Sequence, residues 1–157
     1  MGKLKLSDWA SIAEIVGGVV VVMSLVYVGI QIKQTTIEVR EGNRQELISR
    51  AFNATGRVAA SPELAAIFSK VAEGQPLSAP EATQYAYFVR GLLYDIQEAF
   101  LLHLEDRLSD EYWDTREATF LVYMTNPSAR EVYERDKAIG VLHDRFVHWA
   151  DQRLANQ

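Results

Sequence analysis

The segment that most constrains this chain is Ile15–Ile32, IVGGVVVVMSLVYVGIQI, which runs for 18 residues without a charge. Ser24 and Gln31 are its only polar aliphatic side chains. At about 1.5 Å per residue, an α-helix of this length covers about 27 Å, close to the roughly 30 Å hydrocarbon thickness of a bilayer. The segment therefore predicts a transmembrane helix. The alternative, a buried core helix of a soluble domain, seldom needs so uniformly apolar a run.

The flanks of this segment bear on its processing and its orientation. A cleaved signal peptide has a shorter apolar core followed by an A-x-A-like site, whereas here the sequence continues as GIQIKQTT. We therefore expect an uncleaved anchor. One lysine and three arginines lie in residues 33–50, against Lys3, Lys5 and the α-amine on the other side. This difference favours a C-terminal domain on the cytoplasmic side of a bacterial inner membrane.

The charge of the chain is unevenly divided. Residues 1–60 carry seven Lys/Arg against five Asp/Glu, and residues 61–157 carry nine against sixteen. Phosphate backbones repel the larger, acidic part, so we expect no nucleic-acid partner. The chain contains no cysteine, which excludes disulfides, thiolate nucleophiles and cysteine-ligated zinc or iron–sulfur sites.

Helix signals follow one another along the rest of the chain. Residues 35–60 continue from the apolar segment, with Gly42-Asn43 as the one position where a kink or break is indicated. A serine followed by proline and an acid marks new starts at Ser61-Pro62-Glu63 and at Ser78–Glu81, where Glu81 stands at the third position of a capping box. Another helix starts at Leu108–Glu111, and Asn126-Pro127 breaks it.

No stretch alternates with a period of two for long enough to predict a strand. We therefore predict an all-α protein in which an N-terminal transmembrane helix continues into a cytosolic-type helical bundle. Its predicted parts are a lead and transmembrane anchor in residues 1–34, a juxtamembrane helix in residues 35–60 and an acidic helical bundle in residues 61–157.

The opening of the chain, Leu6–Thr36, carries two recognisable patterns. Ser7–Ala10 is an S-x-W-A stretch, and Tyr27–Gln34 fits the pattern Y-[VL]-[AG]-x-Q-[IV]-[KR]-Q at the end of the apolar helix. In these features it resembles the opening of uncharacterised bacterial single-span membrane proteins, whose anchor is followed by a helical domain. The resemblance implies a membrane location and an all-α fold, and it implies no catalytic or ligand-binding residues.

One face of the apolar helix collects its small and polar residues. Steps of four and three residues, the spacing of a left-handed coil, connect Ala10, Glu14, Gly17, Val21, Ser24, Val28 and Gln31. Small and polar residues are favoured between packed helices, whereas acids and amides that face lipid cost a few kcal/mol each. Ala13 and Gly17 add a small-xxx-small step beside this seam. We therefore expect this face of the helix to meet neighbouring copies, with five interface candidates: Ala13, Glu14, Gly17, Ser24 and Gln31. The alternative is that Glu14 and Gln31, near the ends of the span, reach headgroup water alone.

The chain shows no catalytic or metal-binding motif. His143 and His148 are five residues apart, about 140° round a helix, and His103 follows Glu98 by five rather than by three. A glycine-rich phosphate loop and a G-x-S-x-G motif are both missing from the sequence. We therefore expect no metal, no cofactor and no enzymatic activity. The many aromatic residues, Tyr87 and Tyr94 among them, are expected to pack in the core rather than to form a ligand cage.

Two functional hypotheses remain. The first is a membrane-anchored interaction or scaffold module, which self-associates through its transmembrane helix and presents the acidic bundle to an unidentified protein partner. The second is an oligomeric pore or channel lined by Glu14, Ser24 and Gln31. Both require a homo-oligomer in the lipid bilayer, and they differ in whether the seam is closed or filled with water. We favour the first, because a single helix with so few polar groups more often packs closed.

Overall fold

The computed structural model describes residues 6–156, and of residues 6–8 and 10–12 it describes the backbone alone. Lys3 and Lys5, which enter the prediction of orientation, lie outside the described residues. The described part contains six helices and no strand: α1 Leu6–Ala60, α2 Pro62–Ala72, α3 Ala79–Leu104, α4 Asp110–Met124, α5 Pro127–Ala138 and α6 Asp144–Ala155. The predicted all-α class is confirmed.

The chain divides into two compact units, Met1–Val39 and Arg40–Gln157, and α1 contributes to both. We call them the N-terminal unit and the C-terminal unit. In the N-terminal unit every side chain from residue 13 to residue 39 is exposed. One helix of the described chain is long and apolar enough to cross a membrane, and none of its most apolar window is buried. A core helix of a soluble domain would be covered, so the segment Ile15–Ile32 is not one.

In the C-terminal unit, local side-chain chemistry sets the helix starts. The Ser61 hydroxyl accepts a hydrogen bond from the Leu64 amide at 3.2 Å, and the Asn126 side chain accepts one from the Ser128 amide at 2.9 Å. The Glu81 carboxylate accepts from the backbone amide of Ser78 at 2.8 Å. These contacts satisfy amides that the first turn of a helix leaves without partners. The predicted starts at Ser61 and Ser78 are confirmed, and the predicted break at Asn126-Pro127 is where α4 ends and α5 begins.

The break considered at Gly42-Asn43 is not present, because both residues lie inside α1. An asparagine interrupts a helix when its side chain bonds to nearby backbone. Here the Asn43 side-chain amide donates instead to the carbonyl oxygen of Arg107 at 3.0 Å. Beside it, the Arg40 guanidinium donates to the carbonyl oxygen of Asp106 at 2.9 Å. The segment of α1 that starts at Arg40 is thus tied to the turn that follows α3.

The core of the C-terminal unit is built round α3, which packs against α2, α4, α5 and α6. Its centre is a group of aromatic side chains whose neighbouring ring centroids lie 5.0–5.9 Å apart: Phe100, Trp113, Phe120, Phe146 and Trp149. Contacts of this kind contribute about 0.5–1.5 kcal/mol per pair beyond the area they bury. Three helices, α3, α4 and α6, are held together at this point.

A buried ion pair connects α3 to α5. The Asp136 carboxylate has no exposed surface, and it accepts from Arg90 Nε at 2.7 Å and from Arg90 Nη2 at 2.6 Å. The hydrogen bonds from Arg90 hold the pKa of Asp136 below its usual value, although burial acts in the opposite direction. A two-point contact of this kind fixes the angle between the two side chains as well as their distance.

We expect Asp136→Asn to lower the free energy of unfolding by about 2–4 kcal/mol at pH 7, because it leaves the Arg90 guanidinium without its counter-charge. The folded pKa of Asp136 lies below the unfolded value near 3.9. The ionised carboxylate therefore stabilises the fold above that unfolded value, and this contribution is lost as the pH falls through the folded pKa. Denaturant unfolding of the full chain in detergent, followed by tryptophan fluorescence, measures both effects.

The control is Asp114→Asn, at an exposed position of α4, which should change the stability by less than about 0.5 kcal/mol. The gap between wild type and Asp136→Asn should shrink below about pH 4. A gap that stays constant down to pH 2 would show that the charge of Asp136 is not what stabilises the fold.

Candidate functional site

The five predicted seam residues lie on α1 in the N-terminal unit, and all of them are exposed: Ala13, Glu14, Gly17, Ser24 and Gln31. A Cβ atom placed on Gly17 would meet nothing within 4 Å. Within the described chain this face of α1 is therefore open to a neighbour. Its contact with other copies stays a prediction.

Two of the polar seam residues find hydrogen-bond partners inside α1. The Ser24 hydroxyl donates to the carbonyl oxygen of Val20 at 2.9 Å, and the Gln31 side-chain amide donates to the Tyr27 hydroxyl at 3.0 Å. A satisfied donor has less to gain from a second helix than an unsatisfied one. Association through this face would then depend more on the close approach that Gly17 permits than on interhelical hydrogen bonds.

Two of the three histidines have hydrogen-bond partners, whereas Nδ1 of His103 is buried without one among the described residues. His143 Nδ1 accepts from the Arg145 amide at 3.2 Å and caps α6, while the His148 ring lies 2.9 Å from the Gln152 amide nitrogen. The His103 ring stacks on Trp113 with centroids 5.5 Å apart. Over the described residues, no group of three or more histidines and carboxylates is arranged to hold a metal ion.

The C-terminal unit has an open cleft of about 1170 Å³. We call it the cleft. Its walls come from four helices: the stretch of α1 from Arg50 to Arg57, the beginning of α2, one long face of α3 and three residues of α4, Arg116, Thr119 and Tyr123. Ligand sites are commonly concave, between helices, and lined by apolar and aromatic groups with a few convergent polar atoms.

Arg116 and Asp95 form a charged pair in the cleft. Their side chains are 8% and 13% exposed, and Arg116 Nη2 lies 3.4 Å from Asp95 Oδ2. The same nitrogen donates to the carbonyl oxygen of Leu47 at 3.1 Å and to the Tyr112 hydroxyl. Three acceptors from three helices, α1, α3 and α4, thus surround one guanidinium group.

This pair is incompletely satisfied. Asp95 Oδ1 and Arg116 Nε are both buried, and neither has a hydrogen-bond partner in the part of the chain that the structure describes. Loss of hydration raises the pKa of Asp95, and the attraction of Arg116 and Arg50 only partly offsets it. Buried polar atoms without partners are rare in native proteins, and each calls for an explanation. Each of the two residues therefore keeps one polar atom that is inaccessible and lacks a hydrogen-bond partner in the described residues.

Aromatic side chains form one wall of the cleft. Tyr87 is 66% exposed and Tyr94 is 41% exposed, while Phe88 and Tyr123 are partly buried beside them. The expectation that these aromatics pack in the core is wrong for Tyr87 and Tyr94. Among the described residues no helix covers this face of α3, so the two tyrosines border the cleft.

Gly91 lies in the middle of α3, one turn before Asp95, and is exposed in the cleft. A Cβ atom at this position would meet nothing within 4 Å. A glycine inside a helix costs about 1 kcal/mol relative to alanine, and here no packing contact requires it. Because Gly91 has no side chain, the backbone of α3 is accessible from the cleft at this position.

Sequence reasoning missed the three central residues of the cleft: Gly91, Asp95 and Arg116. A signal for Arg116 was present, because it stands three residues after Trp113 and four before Phe120, on the apolar stripe of α4. Gly91 carried a second signal, as a lone glycine inside a long helical pattern. No pattern within the sequence of α3 or of α4 indicates that Arg116 pairs with Asp95.

Comparison with protein-family models, with curated proteins and with solved structures finds no match to this chain. The resemblance of Leu6–Thr36 to bacterial single-span membrane proteins stays a prediction.

We expect Gly91→Ala to raise the free energy of unfolding by about 0.5–1 kcal/mol, since alanine favours the helix and meets open space. Gly56→Ala, at an exposed helical position where a Cβ atom also meets open space, should give a similar gain. Gly74→Ala should instead destabilise, because Gly74 has a φ of +68°. Chemical denaturation of the full chain measures all three. A loss of stability in Gly91→Ala would mean that packing, rather than the cleft, requires the glycine.

Proposed function

We propose that this protein is a single-span bacterial inner-membrane protein whose C-terminal unit is an interaction or scaffold module on the cytoplasmic side. One observation supports the transmembrane anchor. The large apolar side chains between Ile15 and Ile32 are 48–67% exposed, in a run without a single charge. Monomeric soluble proteins rarely expose apolar patches beyond a few hundred Å². A lipid bilayer is the surrounding that such a helix fits, in both length and composition.

The charge of the C-terminal unit supports a role away from the membrane surface. It carries eighteen Asp/Glu against thirteen Lys/Arg. Anionic headgroups of the cytoplasmic leaflet attract basic segments and repel acidic ones. A protein partner is therefore a better candidate for this unit than the lipid surface or a nucleic acid.

Self-association through α1 is the second part of the proposal. Gly17 and Ala13 stand four residues apart on an exposed face, the small-xxx-small spacing that lets helix backbones approach. The Ser24 hydroxyl and one N–H of the Gln31 amide donate inside their own helix, which supports a closed seam because these two donors need no water as acceptor. The pore lined by Glu14, Ser24 and Gln31 is the competing hypothesis, and conductance separates the two.

Gly17→Leu should weaken the oligomer in mild detergent more than any other seam substitution, because a leucine at this position keeps the helices apart. Gln31→Leu should cost less, since hydrogen bonds between membrane helices average about 0.6 kcal/mol. Val19→Leu, on the opposite face of α1, is the matched control and should leave the oligomer unchanged. Sedimentation equilibrium of the full chain gives the association constants.

The seam is not an interface if Gly17→Leu and Val19→Leu associate equally well. The pore is preferred if purified protein conducts ions in a planar bilayer and Glu14→Gln abolishes this conductance while the oligomer persists, because rings of acids set cation selectivity.

A further inference from the structure

We propose that the part of α1 in the C-terminal unit binds a second copy of the chain through an outer face whose anchor is Phe52. The outer face consists of five residues: Gln45, Ser49, Phe52, Gly56 and Ala59. The two α1 helices run parallel. That orientation rests on the proposed membrane anchor, because copies inserted the same way in one membrane point in the same direction. The contact is additional to the seam at Gly17.

Phe52 is left uncovered by its own chain. Its side chain is 77% exposed, more than any other large apolar side chain that the structure describes, and Ile48, one turn earlier, is exposed as well. On the other side of the helix Leu47 is buried and Val58 is half-buried, so α1 packs on its own bundle through that side. A helix with apolar residues on both sides needs a second packing partner.

The spacing of the outer face is that of a parallel two-stranded coil. Its residues follow one another at steps of four and three, by which one side of a helix keeps facing a partner helix. All five are exposed. Counted back along the sequence from Gln45, the same steps reach Gln31 in the predicted seam. The two stretches therefore share one heptad register, as the pairing of two α1 helices requires.

The side-chain sizes on the outer face are self-complementary. In a parallel coil each such side chain enters a hole between four residues of the facing helix. For Phe52 these are Ser49, Phe52, Asn53 and Gly56 of the second copy. Ser49 is small, and a Cβ atom on Gly56 would meet nothing within 4 Å in the described chain, so the hole has room for a phenyl ring. Each helix thus offers both the large side chain and the space that receives it.

The charges beside the outer face favour a second copy over membrane lipid. Helices that lie on anionic membranes carry lysine and arginine on their polar face. Here Glu41 and Glu46 flank the outer face, and each is paired within α1, with Arg44 and Arg50 respectively. Because an arginine one turn away neutralises each acid, two copies can approach with little repulsion.

Cysteine cross-linking tests this pairing without interference, because the chain has no cysteine of its own. Full-length Ser49→Cys in mild detergent is treated with a copper–phenanthroline oxidant, which joins two neighbouring thiols in a disulfide. Arg57→Cys is the matched control, exposed on the same helix but about 100° round from Gly56. We expect Ser49→Cys to form the linked dimer about tenfold faster, because facing positions bring two Cβ atoms within disulfide reach.

Phe52→Ala should weaken association in sedimentation equilibrium by about tenfold or more and slow the Ser49→Cys cross-link, as truncation of a buried aromatic anchor does. Gly56→Leu should weaken it as well, because leucine fills the hole. Leucine favours a helix more than glycine does, so this variant tests the contact in a folded chain. Val122→Ala, at an exposed apolar position of α4, is the control and should associate like the wild type.

The outer face and the seam at Gly17 can fail separately. If Gly17→Leu associates like the wild type while Phe52→Ala and Gly56→Leu associate weakly, the outer face is an interface and the seam is not. If Gly17→Leu alone weakens association, the outer face is not an interface and the proposal is overturned. It is also overturned if Ser49→Cys forms the disulfide no faster than Arg57→Cys.

Discussion

Apolar surface must be covered, and the two units meet this constraint differently. The C-terminal unit buries a core of its own, in which Phe146 packs against both Phe100 and Phe120. The N-terminal unit leaves thirteen large apolar side chains exposed between Ile15 and Ile32. Complete burial of such a side chain stabilises a protein by about 1.5–3 kcal/mol. Leaving thirteen of them about half exposed in water therefore loses on the order of 10–20 kcal/mol of hydrophobic stabilisation. That is comparable with the whole stability of a typical domain, about 5–15 kcal/mol, which is why a bilayer is the surrounding we propose.

Buried charges impose the second constraint, and the C-terminal unit treats two of them differently. Asp136 is inaccessible and fully engaged by Arg90 in a two-point contact, so this pair serves the fold. Arg116 is also buried, yet its contact with Asp95 is longer and leaves one atom of each side chain without a partner. Stabilising pairs are expected to be complete, because unpaired buried atoms are costly. Both residues of the incomplete pair line the cleft.

Local chemistry made much of the fold predictable. The starts at Ser61, Ser78 and Asn126 follow from side chains that bond to amides two or three residues away, so the sequence carries the whole interaction. The stripe position of Arg116 was also visible. That Asp95 is its partner could not be predicted from the sequence, because Asp95 lies on another helix and meets Arg116 only through the packing of α3 on α4. The exposure of Tyr87 and Tyr94 likewise depends on which face of α3 a neighbour covers. The seam on α1 concerns contacts between copies, which a single chain does not contain.

The most direct test of the anchor is the fate of full-length protein when cells are broken without detergent. The account predicts that it stays in the membrane pellet through a high-pH carbonate wash, dissolves only when detergent is added, and has an intact mass that includes Ile15–Ile32. Recovery of the full chain as a soluble monomer would contradict the anchor. So would a mass showing that the chain is cut after this segment, since the segment would then be a signal sequence that is removed.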